Sequence, residues 1–269
     1  CDKACDHCMS DSTLKSHKGM PGEQVKEVFQ RLKSSGVLRV DIVGGEPFIR
    51  RDLIELLGYA INDIGLEISI TTHGGLLKKD HIDALKQLNI VVQVSIDGSE
   101  KVNDQLRGVG SFNGAVAALT LLRDAGIPTR ISCTIQESNV DSLEEVVKIA
   151  TEMKAQNLYV NIVCGQGRAD ANIETIALSI SSKNKLQEKV NSLRSMSSEN
   201  EKLIEMKRAG RAGVFIDSYG NYFSQAFAEK DCKHMGNVLS DDLATMWKST
   251  KVDHAVHLMQ FLQHPVLYK

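Results

Sequence analysis

The sequence predicts an α/β fold built on a parallel sheet, followed by a smaller α+β extension. Three observations carry this. Short β-branched runs alternate with stretches of helical length, an order that builds parallel strands joined by right-handed crossovers. Glycines stand where helices should end, at Gly36, Gly65 and Gly126. After Asp170 the alternation stops, and charged helices and a hairpin take over.

In chain order, helices are expected at Gly22–Ser35, Arg51–Ile64, Lys79–Leu88, Phe112–Ala125 and Ser142–Ala155. Asn139 and Asp141 mark the start of the last of these. Strands are expected at Arg39–Val43, Glu67–Thr72, Val91–Ile96, Arg130–Gln136 and Leu158–Val163. No self-similarity accompanies the alternation, so the repeat is architectural. Beyond Asp170, Ile173–Ile180 reads as an apolar connection, and Ser182–Ser197 and Glu199–Arg208 as charged surface helices. Val214–Asp217 and Tyr222–Phe223 flank a Gly220 turn and read as a hairpin. This divides the chain into a core over 1–170, a helical connection over 171–212 and an extension over 213–269. On these grounds a flavodoxin-like or Rossmann sheet stays open, although Gly165-Gln166-Gly167 lacks the third glycine of a dinucleotide fingerprint.

Composition excludes several classes. A net charge of −2 gives no electrostatic footprint for nucleic acid. No apolar run approaches the length of a membrane span. Six cysteines in 269 residues do not make a disulfide framework, and their clustering points to metal in a reducing, cytoplasmic setting. The chain opens on Cys1 without an initiator Met and ends without an evident stop signal, so a fragment is expected.

The densest chemistry is at the start. Cys1, Cys5 and Cys8 stand at C-x3-C-x2-C spacing, so one loop can turn three sulfurs toward one point. Thiolates select iron–sulfur clusters and zinc. Three ligands on a four-iron cluster leave one iron open to a small molecule. A closed zinc site wants four ligands, and His7 is the fourth candidate, cramped by its neighbour Cys8. Downstream, Val40–Val43 runs into Gly44-Gly45-Glu46-Pro47. Two glycines let a ligand approach the backbone, Glu46 offers a carboxylate to an ammonium group, and Pro47 stops the strand. An ordinary strand-to-helix turn is the other reading of those four residues.

Together the two motifs resemble the radical S-adenosylmethionine (SAM) superfamily, which carries a C-x3-C-x-Φ-C loop after its first strand and G-G-E-P after its second. The resemblance extends along the chain. Thr71-Thr72-His73-Gly74 resembles T-T-N-G, with His for Asn. Val94-Ser95-Ile96-Asp97-Gly98 matches V-S-I-D-G, and Asn103–Gly108 resembles an H-D-x-x-R-G loop with Asn for His. Gly167-Arg168-Ala169 resembles a G-R-A element of the branch with a SPASM or twitch extension.

The resemblance implies an open (β/α)6 partial TIM-like barrel, whose first strand would precede Cys1. It implies a 4Fe–4S cluster on Cys1, Cys5 and Cys8, and SAM held by His7, Gly44, Gly45, Glu46, Pro47, Thr72, Ser95, Asp97 and Arg168. Ser95 and Asp97 lie two residues apart on one strand face, at the strand end where such barrels carry their sites. Arg168 could clamp a carboxylate or stand in a solvated loop. The implied reaction is reductive cleavage of SAM to a 5′-deoxyadenosyl radical that takes hydrogen from a substrate, with flavodoxin or ferredoxin as reductant. A peptide or protein substrate is implied by the SPASM-like tail, and a tetrapyrrole or quinone precursor is the alternative. A noncatalytic iron–sulfur or zinc module is the reading from another class, and Glu46 and the matched strand ends argue against it. Gly236–Leu239 with Asp242–Trp247 resembles the SPASM scaffold, yet Cys232 is its one thiol, so the extension is expected to carry no cluster of its own. Cys133, inside a β-branched run, reads as a buried hydrophobe, and Cys164 as a thiol at the barrel mouth, buried or facing substrate.

Overall fold

The computed structural model describes residues 1–12, 19–207, 213–225, 233–243, 245 and 265–267. Helix α1 (Gly22–Ser34) leads into strand β1 (Arg39–Ile42), helix α2 (Leu53–Gly58) and strand β2 (Glu67–Thr72). Helix α3 (Lys79–Gln87) and strand β3 (Val91–Ser95) follow, then α4 (Glu100–Arg107), α5 (Ser111–Asp124) and β4 (Thr129–Ile135). Helix α6 (Leu143–Glu152) and strand β5 (Asn157–Ile162) complete the alternation. Three helices come next, α7 (Arg168–Ile176), α8 (Ile180–Ser195) and α9 (Ser198–Leu203). The last strands are β6 (Ile204–Lys207), β7 (Gly213–Ile216), β8 (Asn221–Gln225), β9 (Lys233–Asn237) and β10 (Pro265–Leu267).

Among the described residues the strands form one sheet in the order β6-β5-β4-β3-β2-β1-β10-β7-β8-β9. From β6 to β1 every pairing is parallel, a six-stranded run that fits the partial barrel. At the other end, β7, β8 and β9 pair antiparallel, so the hairpin after residue 213 forms as expected. Strand alternation divides the run into two faces. Ile131, Cys133 and Ile135 of β4 are buried, as are Val92 and Val94 of β3, and α5 and α6 pack on these strands. The opposite face is polar: Gln93 donates to Thr71 at 3.2 Å and Asn161 to Ser132 at 3.0 Å, and Ser69 bonds Asp41.

Three expectations change. Glu199–Arg208 is not one helix, because after Leu203 the chain turns into β6, pairs Ile204 with Leu158 on the open edge of β5 and buries Ile204. Asn103–Arg107 lies in helix α4, capped by the Ser99 hydroxyl, which accepts from Val102 N, and Gly167-Arg168-Ala169 opens helix α7. The expected helix over Arg51–Ile64 is α2 followed by a wider π turn at Tyr59–Asp63. On the edge away from β2, strand β1 pairs with β10, Val266 opposite Asp41. One hydrophobic core joins the barrel to the extension, since Ile216, Tyr222, Val238 and Leu243 share it with Val28, Ile70 and Leu119. Cys232, Met246 and Trp247 lie outside the described residues.

Candidate functional site

The sequence-predicted site residues converge at the C-terminal ends of the parallel strands. Gly44–Pro47 follow β1, Thr72 ends β2, Ser95 ends β3 with Asp97 just beyond, and Arg168 starts the helix after β5. Against them lies the loop that carries Cys1, Cys5, His7 and Cys8. All three thiols are half-buried, and Cys8 N donates to Cys5 O at 3.1 Å. Burial pushes the Cys5 thiol up, with the charge of Arg107 opposing it. Burial also pushes on Cys8, but hydrogen bonds at Ser10 and Ser12 outweigh it and leave that thiol below its ordinary value.

Three clamps hold the loop. The first comes from α7: Arg168 N donates to Cys8 O at 2.9 Å, and the Arg168 guanidinium reaches Cys5 O at 2.8 Å, Ser12 O at 3.1 Å and the Asp11 carboxylate at 3.0 Å. Arg168 is therefore engaged with the cysteine loop. Gly167 makes this approach possible, because a Cβ there would stand 2.4 Å from Met9 O and 2.8 Å from Cys8 O. The second clamp is Gly45, where a Cβ would stand 2.7 Å from Cys1 N and 2.9 Å from Cys1 Cβ. Its bareness serves Cys1 first, which the sequence reading assigned to a ligand.

The third clamp joins His73 to Asp2. His73 Nδ1 accepts from Gly75 N at 3.0 Å, so the ring proton sits on Nε2 and points to Asp2 Oδ1 at 2.7 Å. Cys1, Asp2 and His73 bring donor atoms within 4.8 Å of one another, the spacing of a small metal site. The tautomer opposes that use: a metal on Nε2 would move the proton to Nδ1, against the Gly75 N–H. The trio is a hydrogen-bonded tie.

Glu46 is buried and faces inward. Oε1 accepts from Phe48 N at 3.2 Å and Thr72 Oγ1 at 2.7 Å, and Oε2 accepts from His73 N at 2.9 Å. Its carboxylate fixes the turn to the end of β2. The backbone of Gly44 and Gly45 is half-buried, with Cys1 against Gly45 and Ser10 Oγ donating to Gly44 O at 3.4 Å. Thr72 is a link in the same tie, since its hydroxyl also accepts from Gly74 N at 2.9 Å.

Asp97 is the centre of a second buried network. Oδ1 accepts from Thr134 N at 2.8 Å, while Oδ2 takes Arg107 Nε at 2.6 Å and His7 Nε2 at 3.2 Å. Burial pushes this carboxyl up, but Arg107 and His7 hold it well below the usual carboxylate range. Asn103 fixes the backbone here by accepting from Asp97 N at 2.9 Å, and Asp104 caps α5 by accepting from Phe112 N at 2.8 Å. His7 Nδ1 is buried with no partner among the described residues. Sequence reasoning missed Arg107, Asp2 and the clamp roles of His73 and Gly167. Signals existed for Arg107 and Gly167, both inside motifs already singled out. Cys133 is fully buried, as expected, and burial raises Cys164.

The donor set fits a cluster. Three thiols share one loop, and bare glycines at Gly45 and Gly167 let that loop seat closely. Comparison with known proteins agrees. The model of the family described as "Radical SAM superfamily" matches residues 1–137, half of the chain. Mycofactocin maturase MftC of Mycobacterium tuberculosis is 31% identical over 271 residues, covering 94% of this chain and 68% of that protein. The same protein of Mycolicibacterium smegmatis is 36% identical over 159 residues, and the alignment covers 58% of this chain and 40% of that relative's length. The crystal structure of Streptococcus suis SuiB bound to S-adenosylmethionine shares the fold, with a TM-score of 0.75 at 20% identity over 92% of this chain and 63% of that one. With fold, motifs and matched residues in agreement, the chain belongs to the radical SAM superfamily.

Proposed function

We propose that this chain is the catalytic core of a radical SAM enzyme that modifies a peptide or protein. The observation that carries the reading is the cysteine loop seated closely on Gly45 and Gly167. Cys1, Cys5 and Cys8 hold a 4Fe–4S cluster, and Gly44, Gly45 and the neighbouring strand ends receive SAM. When bound, these groups supply one-electron cleavage of SAM and a 5′-deoxyadenosyl radical for hydrogen abstraction, with flavodoxin or ferredoxin as electron donor. The protein's own work is placement. Glu46 locks the turn, Arg168 and the Asp2–His73 tie hold the loop, and Gln93, Ser132 and Asn161 offer hydrogen bonds on the polar face.

The peptide reading is supported by relatives named as a maturase, a bacteriocin biosynthesis protein and a killing-factor maturation protein. A cofactor-precursor substrate is the second reading, favoured by AdoMet-dependent heme synthases 28% and 29% identical over 173 and 178 residues. The divisions at 170 and 212 and a cytoplasmic location belong to the same proposal. No helix among the described residues is long and apolar enough to cross a membrane. Anaerobic reconstitution tests it: about four irons per chain and SAM-dependent 5′-deoxyadenosine are expected. Changing Cys1, Cys5 and Cys8 together to Ala should abolish iron binding. A colourless zinc protein, or full iron retention in the triple variant, would overturn it.

A further inference from the structure

We propose that Arg130 anchors a carboxylate of the substrate at the floor of the barrel, the end of the parallel strands opposite the cysteine loop. This rests on the peptide-modifying reading above and names a chemical feature of its substrate. Strand alternation puts Arg130 on the polar face, since Ile131, Cys133 and Ile135 take the buried one. Its guanidinium carbon stands 5.9 Å from the centre of the Tyr159 ring, on the neighbouring strand β5. Among the described residues the Arg130 side chain makes no hydrogen bond or ion pair, and its Nε is buried. A buried donor without an acceptor is costly, more so when it carries charge, and a ligand that supplies the acceptor relieves that cost.

The cation has room beside it. Arg130 lines a cavity of about 360 Å³ with Glu67, Ser69 and Val91 of the neighbouring strands and with Ile61 and Leu88, a volume within the range of small-ligand sites. Glu67 is the one acid on that wall, and Arg39 holds it, with Nε and Nη2 at 3.2 and 3.0 Å from Oε2. Asp41, on the same face, bonds Ser69. A planar carboxylate matches the two-pronged edge of a guanidinium, and an apolar group behind it matches Ile61, Leu88 and Val91. The ligand is therefore a small apolar carboxylate, either the C-terminal residue of a peptide or an acidic side chain. Ser132 lies two residues further along the same face and pairs with Ser95 at the end of β3. That is about 7 Å of rise, so one substrate residue held by Arg130 spans the way to the strand ends. The anchor fixes how deep the substrate enters, and with it which of its C–H bonds is presented there.

The test is calorimetric titration of the reconstituted full-length protein with N-acetyl-leucine, N-acetyl-leucinamide and N-acetyl-glutamic acid α-amide. N-acetyl-leucine should bind roughly tenfold or more tightly than its neutral amide. Arg130→Gln should erase that preference, and Arg130→Lys should keep part of it. Arg123→Gln, at a surface arginine paired with Asp124, should bind as wild type. Equal binding of N-acetyl-glutamic acid α-amide and N-acetyl-leucine assigns the anchor to an acidic side chain; weaker binding of the former assigns it to a C-terminal carboxylate. If Arg130→Gln fails to fold, Val91→Phe decides, because it fills the cavity, keeps the charge and must weaken N-acetyl-leucine. Equal affinity for acid and amide, or binding of neither, overturns the proposal, and so does a preference for the acid that survives Arg130→Gln. A wild-type protein that selects the acid yet holds no iron would instead defeat the cluster reading alone.

Discussion

Replacing Gly167 by Ala should detach the cysteine loop while leaving the barrel folded. Gly167 has φ 60° and ψ −134°, a conformation that costs a side-chain-bearing residue about 1–3 kcal/mol. The new Cβ would also stand 2.4 Å from Met9 O and 2.5 Å from Met9 C, so one backbone must move. The Arg168 N to Cys8 O bond of 2.9 Å is then lost, worth about 1 kcal/mol. Together these give about 2–4 kcal/mol against the docked loop, or roughly 30- to 700-fold in its population. Iron retained after anaerobic reconstitution and gel filtration in chelator measures this directly. Gly126→Ala is the control, because Gly126 has φ +72° with nothing within 4 Å of a Cβ. That variant should lose about 1–2 kcal/mol of stability and keep its iron. Wild-type iron retention in Gly167→Ala, or equal loss in Gly126→Ala, would refute the reasoning.

Gly45→Ala should lower iron content and SAM affinity together, since its Cβ meets Cys1 before any ligand; SAM loss with full iron would contradict this. Glu46→Gln turns an amide donor toward groups that themselves donate, and should destabilise the iron-free protein by about 1–3 kcal/mol in thermal unfolding. The native carboxyl of Asp97 is shifted down, so its stabilising contribution is complete above the unfolded pKa, about 4. It fades as pH falls through the lower native value. The stability gap between wild type and Asp97→Asn should therefore narrow with acidification, and a gap that widens would refute the assignment.

The barrel was legible because its signals are local. β-Branched runs set the five core strands within a residue or two, and glycine caps set most helices nearly as well. The segment of α4, however, reads as a loop, and the expected Arg51–Ile64 helix gives way to a π turn after Gly58. β6 was not legible, because Glu199–Arg208 carries the charged composition of a surface helix, and only the open edge of β5 makes Ile204–Lys207 extended. The cysteines and the Gly-Gly-Glu-Pro turn were legible as chemistry, while their supports were not. That Glu46 faces Thr72 and His73, and that Gly167 touches Met9, are facts of tertiary approach that spacing does not encode. The extension reads as a unit of its own over 213–269, and Tyr222 and Ile216 lie in the core it shares with the barrel. Deleting it would therefore remove packing from that core.

The clamps on the cysteine loop also set an order of events in the cell. His73 closes on Asp2 across 71 residues, and Arg168 closes on Cys5 across 163. During synthesis at about 5–20 residues per second, the second clamp emerges roughly 10–30 seconds after the thiols. The three cysteines therefore wait in a partly made chain, exposed to oxidants and stray zinc, before α7 exists to seat them. Iron delivery that acts after α7 has docked meets a formed receptacle. Delivery to the nascent chain meets three loose thiols, so the abundance of active protein depends on when the metal arrives as much as on how tightly it is held.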